Sequence, residues 1–195
     1  MKLYYTPKSH FSRKVRILMG GLGLEAELTN VGDVSSQDAQ AFGLNPLMKV
    51  PTLHHEDIQV FDSDHIAQYL VRHFDPEDRF QVMTANPDLM NARAVMNGIM
   101  AAEVDLILSQ RTGMDVEQYL RFSKIKYVME NGLEWLEARA DWFSGAPTYA
   151  DFHLVAMIDH LNLYRILPLH CRSLLLRVRE ISKLDYVSAT KPPKD

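Results

Sequence analysis

Residues 45–63 contain two features that suit the binding of a short anionic peptide. The first is the run NPLMKVPTL, in which Pro51 enters a predicted buried strand, removes one backbone donor and leaves the N–H and C=O of Val50 free to pair with an extended peptide. The second is Asp62 with Ser63 at the predicted start of an amphipathic helix, where free N–H groups and the helix dipole attract carboxylates. Together they predict a clamp for a small peptide that carries carboxylates.

Residues 1–75 resemble the thioredoxin-like domain of the glutathione transferases. The opening run MKLYYTPKSHFSRKVRI is similar to that family's first strand, active-site loop and first helix, Val50-Pro51 to its proline loop, and Asp62-Ser63 to its Glu/Asp-Ser glutathione motif. These pieces occur in the family's order and spacing. The resemblance implies an α/β thioredoxin-like N-terminal domain plus an all-α C-terminal domain, a cis Val50–Pro51 bond, glutathione as co-substrate and a homodimer.

The thiol of glutathione is mostly protonated at pH 7, so an enzyme that uses its thiolate must supply hydrogen-bond donors or positive charge. In the family this donor lies just after the first strand, where this chain offers Ser9, Tyr5 and His10. We favour Ser9, which stands where the related omega-type and glutaredoxin-like proteins have the cysteine of a Cys-Pro-Phe motif. A serine hydroxyl can donate to a thiolate but cannot form a mixed disulfide, so this residue favours conjugation or peroxide reduction over disulfide exchange.

Alternatives remain for all three candidates. Ser9 could only cap the first helix. His10 could contact glutathione or the electrophile, or it could simply be an exposed residue. Tyr5 resembles the strand tyrosine of beta-type transferases, yet its position in an alternating strand also suits a core residue.

The resemblance implies a role for each residue of the clamp. The Val50 backbone, beside Pro51, would pair with the cysteinyl part of glutathione in antiparallel fashion. Asp62 would bind the γ-glutamyl ammonium, and Ser63 the γ-glutamyl carboxylate. Lys49 would reach the glycyl carboxylate, or it is merely a solvated charge.

Further binding residues are less sharply indicated. Phe11 completes the predicted glutathione site. An electrophile pocket is expected between the loop at Ser9 and a helix over 86–110, where Met96 and Met100 recur on one face, although such a methionine stripe also suits a core. Glu103 on the same helix could reach the γ-glutamyl group of glutathione across a dimer interface. No metal site is expected.

The spacing of apolar residues and the positions of glycine and proline predict the strands and helices that must position these residues. Predicted strands cover 2–6, 27–31, 51–55 and 58–61, and predicted helices cover 11–22, 35–42 and 63–74, in a layer with helices on both faces. These elements form a domain over 1–75, followed by a linker over 76–85 and an all-helical domain over 86–195. Helices of this second domain are predicted over 86–110, 115–142, 149–165 and 170–182. Thr148 and Asp151 form a variant of the capping box at the third of them.

Composition restricts the class of protein. The chain of 195 residues has a net charge of −4, which argues against an electrostatic nucleic-acid binder. The single cysteine excludes an intramolecular disulfide, and no run of apolar residues is long enough to span a membrane. Because the first residues also lack the pattern of a secretory leader, we expect a cytoplasmic protein.

Two functions therefore remain. The first is a glutathione transferase that activates the thiol for attack on a small hydrophobic electrophile, as in detoxification, or for peroxide reduction. The second is a non-catalytic protein of the same fold, similar to the bacterial stringent starvation proteins, which dock onto a protein partner in the transcription machinery. A maleylacetoacetate isomerase is disfavoured, because SHF stands where that type has its Ser-Ser-Cys signature.

Overall fold

The computed structural model describes residues 1–193, and of Glu117 the backbone alone. The chain divides into two compact units, Met1–Met83 with the C-terminal residues from Ser182, and Thr84–Ile181. The first unit is the predicted thioredoxin-like layer and the second is helical. The predicted fold class is thus confirmed.

The first unit is built on a four-stranded mixed sheet. Its strands are β1 (Lys2–Tyr5), β2 (Glu27–Asn30), β3 (Thr52–His55) and β4 (Ile58–Phe61), in the order β2-β1-β3-β4. β1 pairs with β2 in parallel and with β3 in antiparallel fashion, and β3 pairs with β4 as a hairpin. Leu3 and Leu53 are opposite each other in this register and both are fully buried. Their shared face forms the core of the unit.

Two helices cover this face. They are α1 (His10–Gly21) and α2 (Ser63–Phe74), which pack against each other. His55 lies on the same face as Leu53, and its ring packs against Tyr69 and Phe74 of α2. The helices therefore lie together on one side of the sheet.

The helix predicted over 35–42 is wrong, because residues 31–50 form turns. Asp33 and Asp38 accept the amides of Ser35 and Gln40 through their side chains, each at 2.9 Å. Such local bonds compete with the helical ladder and favour turns. The prediction of helices on both faces is wrong for the same reason.

A loop covers the other face of the sheet instead. His54 Nε2 lies 2.8 Å from the carbonyl oxygen of Gly43. The Tyr4 ring packs so closely on Gly43 that a Cβ there would lie 2.6 Å from it. The segment that leads to the proline loop is thus anchored directly on the sheet.

The chain after residue 181 returns to the first unit, although the helical domain was predicted to continue to 195. A short helix, α7 (Asp185–Ser188), packs on α1, where a Cβ at Gly20 would lie 3.0 Å from Cβ of Tyr186. Arg13 Nε also donates to Oγ1 of Thr190 at 3.3 Å. Lys194 and Asp195, which the predicted domain included, lie outside the described residues.

The second unit consists of four main helices, α3 (Pro87–Arg111), α4 (Leu120–Glu137), α5 (Tyr149–Tyr164) and α6 (Arg172–Ile181). Here α3 packs against α4 and α5, and α5 packs against α6. None of the helices among residues 1–193 is long and apolar enough to cross a membrane.

Helix α4 is shorter than the predicted 115–142, with separate 3-10 turns at Val116–Gln118 and Ala140–Trp142. At its end the Arg139 guanidinium donates to the carbonyl oxygen of Trp135 at 3.0 Å. The Arg139 amide bonds to Leu136 instead. The side chain thus replaces the amide as partner of the Trp135 carbonyl, and the α-helix ends.

The capping box at the start of α5 is confirmed. The Thr148 amide donates to Oδ2 of Asp151 at 2.7 Å. Arg177 of α6 donates from Nε to Oδ1 of the same carboxylate, also at 2.7 Å. The cap therefore also joins α5 to α6.

Candidate functional site

Ser9 is the N-cap of α1, with φ −65° and ψ 116°. Its Oγ accepts a hydrogen bond from the amide of Ser12 at 3.1 Å, and the side chain is half-buried. Because the cap uses the hydroxyl oxygen as acceptor, the hydroxyl hydrogen can still rotate to donate to an anion. Capping and thiol activation are therefore compatible roles of this side chain.

Tyr5 ends β1 on the same face as Leu3 and is half-buried. The guanidinium carbon of Arg16 lies 4.9 Å from the centre of its ring. Burial lowers the pKa of Arg16. Tyr5 thus packs against a cation of α1, and its predicted role at the thiol stays a prediction.

His10 is the first residue of α1 and only 2% exposed, so its interpretation as an exposed residue is wrong. Its ring centre lies 4.6 Å from that of Phe11, which is half-buried. That either residue contacts a ligand stays a prediction.

The proline loop has the geometry that the resemblance implied. The Val50–Pro51 peptide bond is cis. Among residues 1–193, no hydrogen bond joins the backbone N–H or C=O of Val50 to another residue. Met48 adopts φ 48°, the left-handed conformation that favours glycine. Lys49 is exposed beside them.

The start of α2 lies at the end of the β3–β4 hairpin. Asp62 is its N-cap, and its Oδ1 accepts the amides of Asp64 at 2.8 Å and His65 at 3.3 Å. Asp62 has φ 70° and ψ 134°, a conformation that residues other than glycine rarely adopt. Ser63 is the first helical residue and 3% exposed. Both cap bonds end at Oδ1, which leaves Oδ2 of the exposed Asp62 for a cation.

The remaining candidates lie on α3, in the second unit. Met96 and Met100 are fully buried. Glu103 is also fully buried, and its Oε1 lies 2.8 Å from Nδ1 of His160. Burial raises the pKa of Glu103, although His160 opposes the shift. The predicted roles of these α3 residues at an electrophile or across a dimer interface stay predictions.

The structure adds residues whose roles were not predicted. Asn45 is buried and donates to the carbonyl oxygen of Lys49 at 2.9 Å, directly before Val50. An asparagine directly before a proline is typical of a turn that the asparagine side chain stabilises, and this pattern could have indicated the role of Asn45 from the sequence. Lys14 is fully buried on α1 and pairs with Asp64 at 3.0 Å. No local signal relates two residues that lie this far apart in the chain.

Two comparisons of the sequence with known proteins match the N-terminal part of the chain. The sequence profile of the glutathione S-transferase N-terminal domain matches residues 3–78. A stringent starvation protein A homolog from Coxiella burnetii (strain RSA 493 / Nine Mile phase I) is 34% identical over 74 residues, which is 38% of this chain. The matched segment spans only 35% of the length of that relative.

Solved structures resemble the chain over nearly its whole length. A glutathione S-transferase from Methylobacillus flagellatus KT, with glutathione bound, is 23% identical with a TM-score of 0.85, over 98% of this chain and 99% of that one. A maleylacetoacetate isomerase from Methylobacterium extorquens AM1, with malonate and glutathione bound, is 21% identical with a TM-score of 0.77, over 100% and 98% of the two chains. At these identities the likeness concerns the fold. The resemblance to the glutathione transferases is therefore confirmed: residues 3–78 match the glutathione S-transferase N-terminal domain, and the chain has the glutathione S-transferase fold.

Proposed function

We propose that this protein is a glutathione transferase whose first unit binds glutathione and activates its thiol. The observation that carries the proposal is the backbone of Val50, which forms no hydrogen bond with the part of the chain that the structure describes, follows a loop held by Asn45 and precedes the cis bond to Pro51. An exposed N–H and C=O pair on one residue binds an extended peptide in the manner of an added strand. The capped start of α2 provides the second half of the clamp.

Each part of glutathione has a partner in this proposal. Val50 pairs with the cysteinyl backbone. Oδ2 of Asp62 accepts from the γ-glutamyl ammonium, and Ser63 donates to the γ-glutamyl carboxylate at the positive end of α2. Lys49, which is exposed, reaches the glycyl carboxylate, and Phe11 packs against the peptide.

Ser9 stabilises the thiolate in this proposal. Its oxygen is already held by the Ser12 amide, which fixes the side chain without using the hydroxyl hydrogen. A donor that is oriented before the ligand binds stabilises a developing anion at little cost of reorganisation. The positive end of the α1 dipole also stabilises an anion at this position. Tyr5 and His10 remain the alternatives.

The acceptor of the thiolate is a small hydrophobic electrophile or a peroxide. Met96 and Met100 stay the candidates for contact with the electrophile, since methionine adapts to varied apolar ligands. A homodimer, in which Glu103 acts on the partner's ligand, also stays a prediction. Location in the cytoplasm agrees with the single cysteine of the chain.

The second candidate function is binding without catalysis. The stringent starvation protein A homolog, 34% identical over 74 residues, favours it. In that case the chain would use this fold to dock onto a protein partner. The two functions differ in whether bound glutathione turns over.

A glutathione titration by calorimetry tests the binding half of the proposal. We expect wild type to bind with a dissociation constant between micromolar and millimolar values, about −8 to −4 kcal/mol. Ser63→Ala should bind about tenfold more weakly, because it loses a hydrogen bond to a charged group. Ser123→Ala, an exposed serine on α4, is the matched control and should bind like wild type.

Turnover then separates the two functions. Wild type should conjugate glutathione to an activated aryl chloride or reduce an organic hydroperoxide. Binding without either reaction would favour the docking protein. Absence of glutathione binding would contradict the transferase.

A further inference from the structure

The start of α2 carries more negative charge than a site for carboxylates should. Asp62 and Asp64 flank the buried Ser63, and Asp62 already takes the amides of Asp64 and His65. Both carboxylates repel a ligand carboxylate, whereas the helix dipole contributes only about half a positive charge. An anion that binds beside Ser63 therefore needs a compensating cation.

Lys14 provides a cation from the neighbouring helix. Its Nζ lies 3.0 Å from Oδ1 of Asp64, and its side chain is fully buried, whereas that of Asp64 is 20% exposed. The same Nζ lies 5.6 Å from the centre of the Phe11 ring. The ion pair thus joins the helix that begins after Ser9 to the helix that begins at Ser63.

Stability alone explains this pair poorly. Attraction within a buried ion pair often does little more than offset the cost of taking both charges out of water, and apolar residues of similar volume can replace such pairs without loss. Lys14 is fully buried on a helix whose other buried residues include the apolar Val15 and Leu18. The charge that Lys14 brings to α2 is a better reason for its presence.

We infer that Lys14 is a positioning residue that makes the start of α2 accept a carboxylate. It neutralises Asp64, so the helix dipole and Ser63 face the ligand without a second uncompensated negative charge. The inference rests on the proposed function and deepens it, because it names the γ-glutamyl carboxylate of glutathione as the group that depends on Lys14. Peptides that lack this carboxylate should not depend on it.

Calorimetry with two ligands tests the inference. The ligands are glutathione and γ-aminobutyryl-cysteinylglycine, which is glutathione without its γ-glutamyl carboxylate. Asp64→Asn should raise the affinity for glutathione by about fivefold, and Lys14→Met should lower it by about the same factor. The double variant should recover most of the affinity that Lys14→Met loses, and so should Lys14→Arg, which keeps the charge. The affinity for the second ligand should not follow these changes.

A purely structural pair gives a different pattern. Both single variants would then lower the affinities for both ligands equally, and that result would overturn the inference. If Lys14→Met does not fold, as judged by circular dichroism, Asp64→Asn decides, since weaker or unchanged glutathione binding in this variant overturns the inference. Wild type that binds neither ligand would overturn the proposed function and the inference with it, whereas wild type that binds glutathione keeps the two questions separate.

Discussion

The side-chain amide of Asn45 donates to the carbonyl oxygen of Lys49 across 2.9 Å. The same nitrogen lies 3.2 Å from Oγ1 of Thr52, and Oδ1 accepts the amide of Leu47 at 3.0 Å. Asn45 is only 2% exposed, so water does not readily replace these bonds. One buried side chain therefore holds the chain on both sides of Val50.

Asn45→Ala should weaken the proposed site through this loop. We expect it to lower the free energy of unfolding by about 1–3 kcal/mol, since it removes three hydrogen bonds of a buried side chain, and to lower the affinity for glutathione by about tenfold. Urea denaturation and calorimetry measure the two effects. Asn30→Ala is the control, because Asn30 is exposed and its side chain accepts the amide of Gly32, two residues away. Wild-type affinity in Asn45→Ala would show that the loop does not position the ligand.

Gly43→Ala should be more destabilising than an ordinary change in a loop. Gly43 has φ 64°, and a Cβ there would lie 2.6 Å from the Tyr4 ring and 3.0 Å from Nε2 of His54. We expect a loss of about 2 kcal/mol or more from strain and steric overlap together. Gly23 has φ 69° with nothing within 4 Å of its Cβ position, so Gly23→Ala should cost only the strain, about 1 kcal/mol. Equal losses in urea denaturation would contradict the packing of Tyr4 on this loop.

Local signals explain which elements could be predicted from the sequence. The predicted helix over 63–74 coincides with α2, because its start at Asp62 and the periodic Ile66 and Leu70 are all local. A helix is also predicted over 35–42, yet the aspartate and serine side chains of this segment accept nearby amides and form turns. Whether such side-chain bonds replace the helical hydrogen bonds depends on local geometry, which the spacing of apolar residues does not reveal.

The candidate site shows the same limit. The cis bond at Pro51 could be expected from the resemblance, and Ser9 and Asp62 are caps where the sequence predicted helix starts. The buried Lys14–Asp64 pair could not be predicted, because it depends on the packing of α1 against α2. From the sequence alone, a charged residue on a short helix is expected to be exposed to solvent, because the elements that pack around it are not known.

Glu137 should stabilise the second unit in a pH-dependent way. Burial alone would raise its pKa, but the amides of Leu174 and Ser173 donate to its carboxylate at 3.0 and 2.8 Å and hold the pKa below its ordinary value. The pKa of Glu137 is lower in the folded state than its ordinary value of 4.5. The stability that its ionised carboxylate contributes is therefore present above pH 4.5 and is lost as the pH falls through the folded-state pKa. Glu137→Gln should therefore lower the free energy of unfolding by about 1 kcal/mol at pH 7 and by much less in acid.

Urea denaturation at neutral and acidic pH measures this difference. Glu134→Gln removes an exposed carboxylate from the same helix and serves as the control. A loss in Glu137→Gln that stays constant down to strongly acidic pH would contradict the role of the ionised carboxylate.

Cys171 should stay unreactive in the folded protein. It is 4% exposed, and burial raises the pKa of its thiol. Because the thiolate is the reactive form, we expect alkylation at pH 7–8 to be slower than that of free cysteine by about a hundredfold or more, and to become fast in urea. Mass spectrometry over time measures both rates. Rapid alkylation without denaturant would contradict the burial of Cys171.

Ultraviolet difference spectroscopy of bound glutathione tests the central claim most directly. Since Cys171 should remain a thiol near neutral pH, any thiolate absorbance that appears on binding belongs to glutathione. We predict that wild type shows this absorbance near pH 7 and that Ser9→Ala, which loses the donor, shows it only at higher pH while still binding glutathione. An unchanged thiolate signal in Ser9→Ala would contradict the role of Ser9 and would transfer it to Tyr5 or His10.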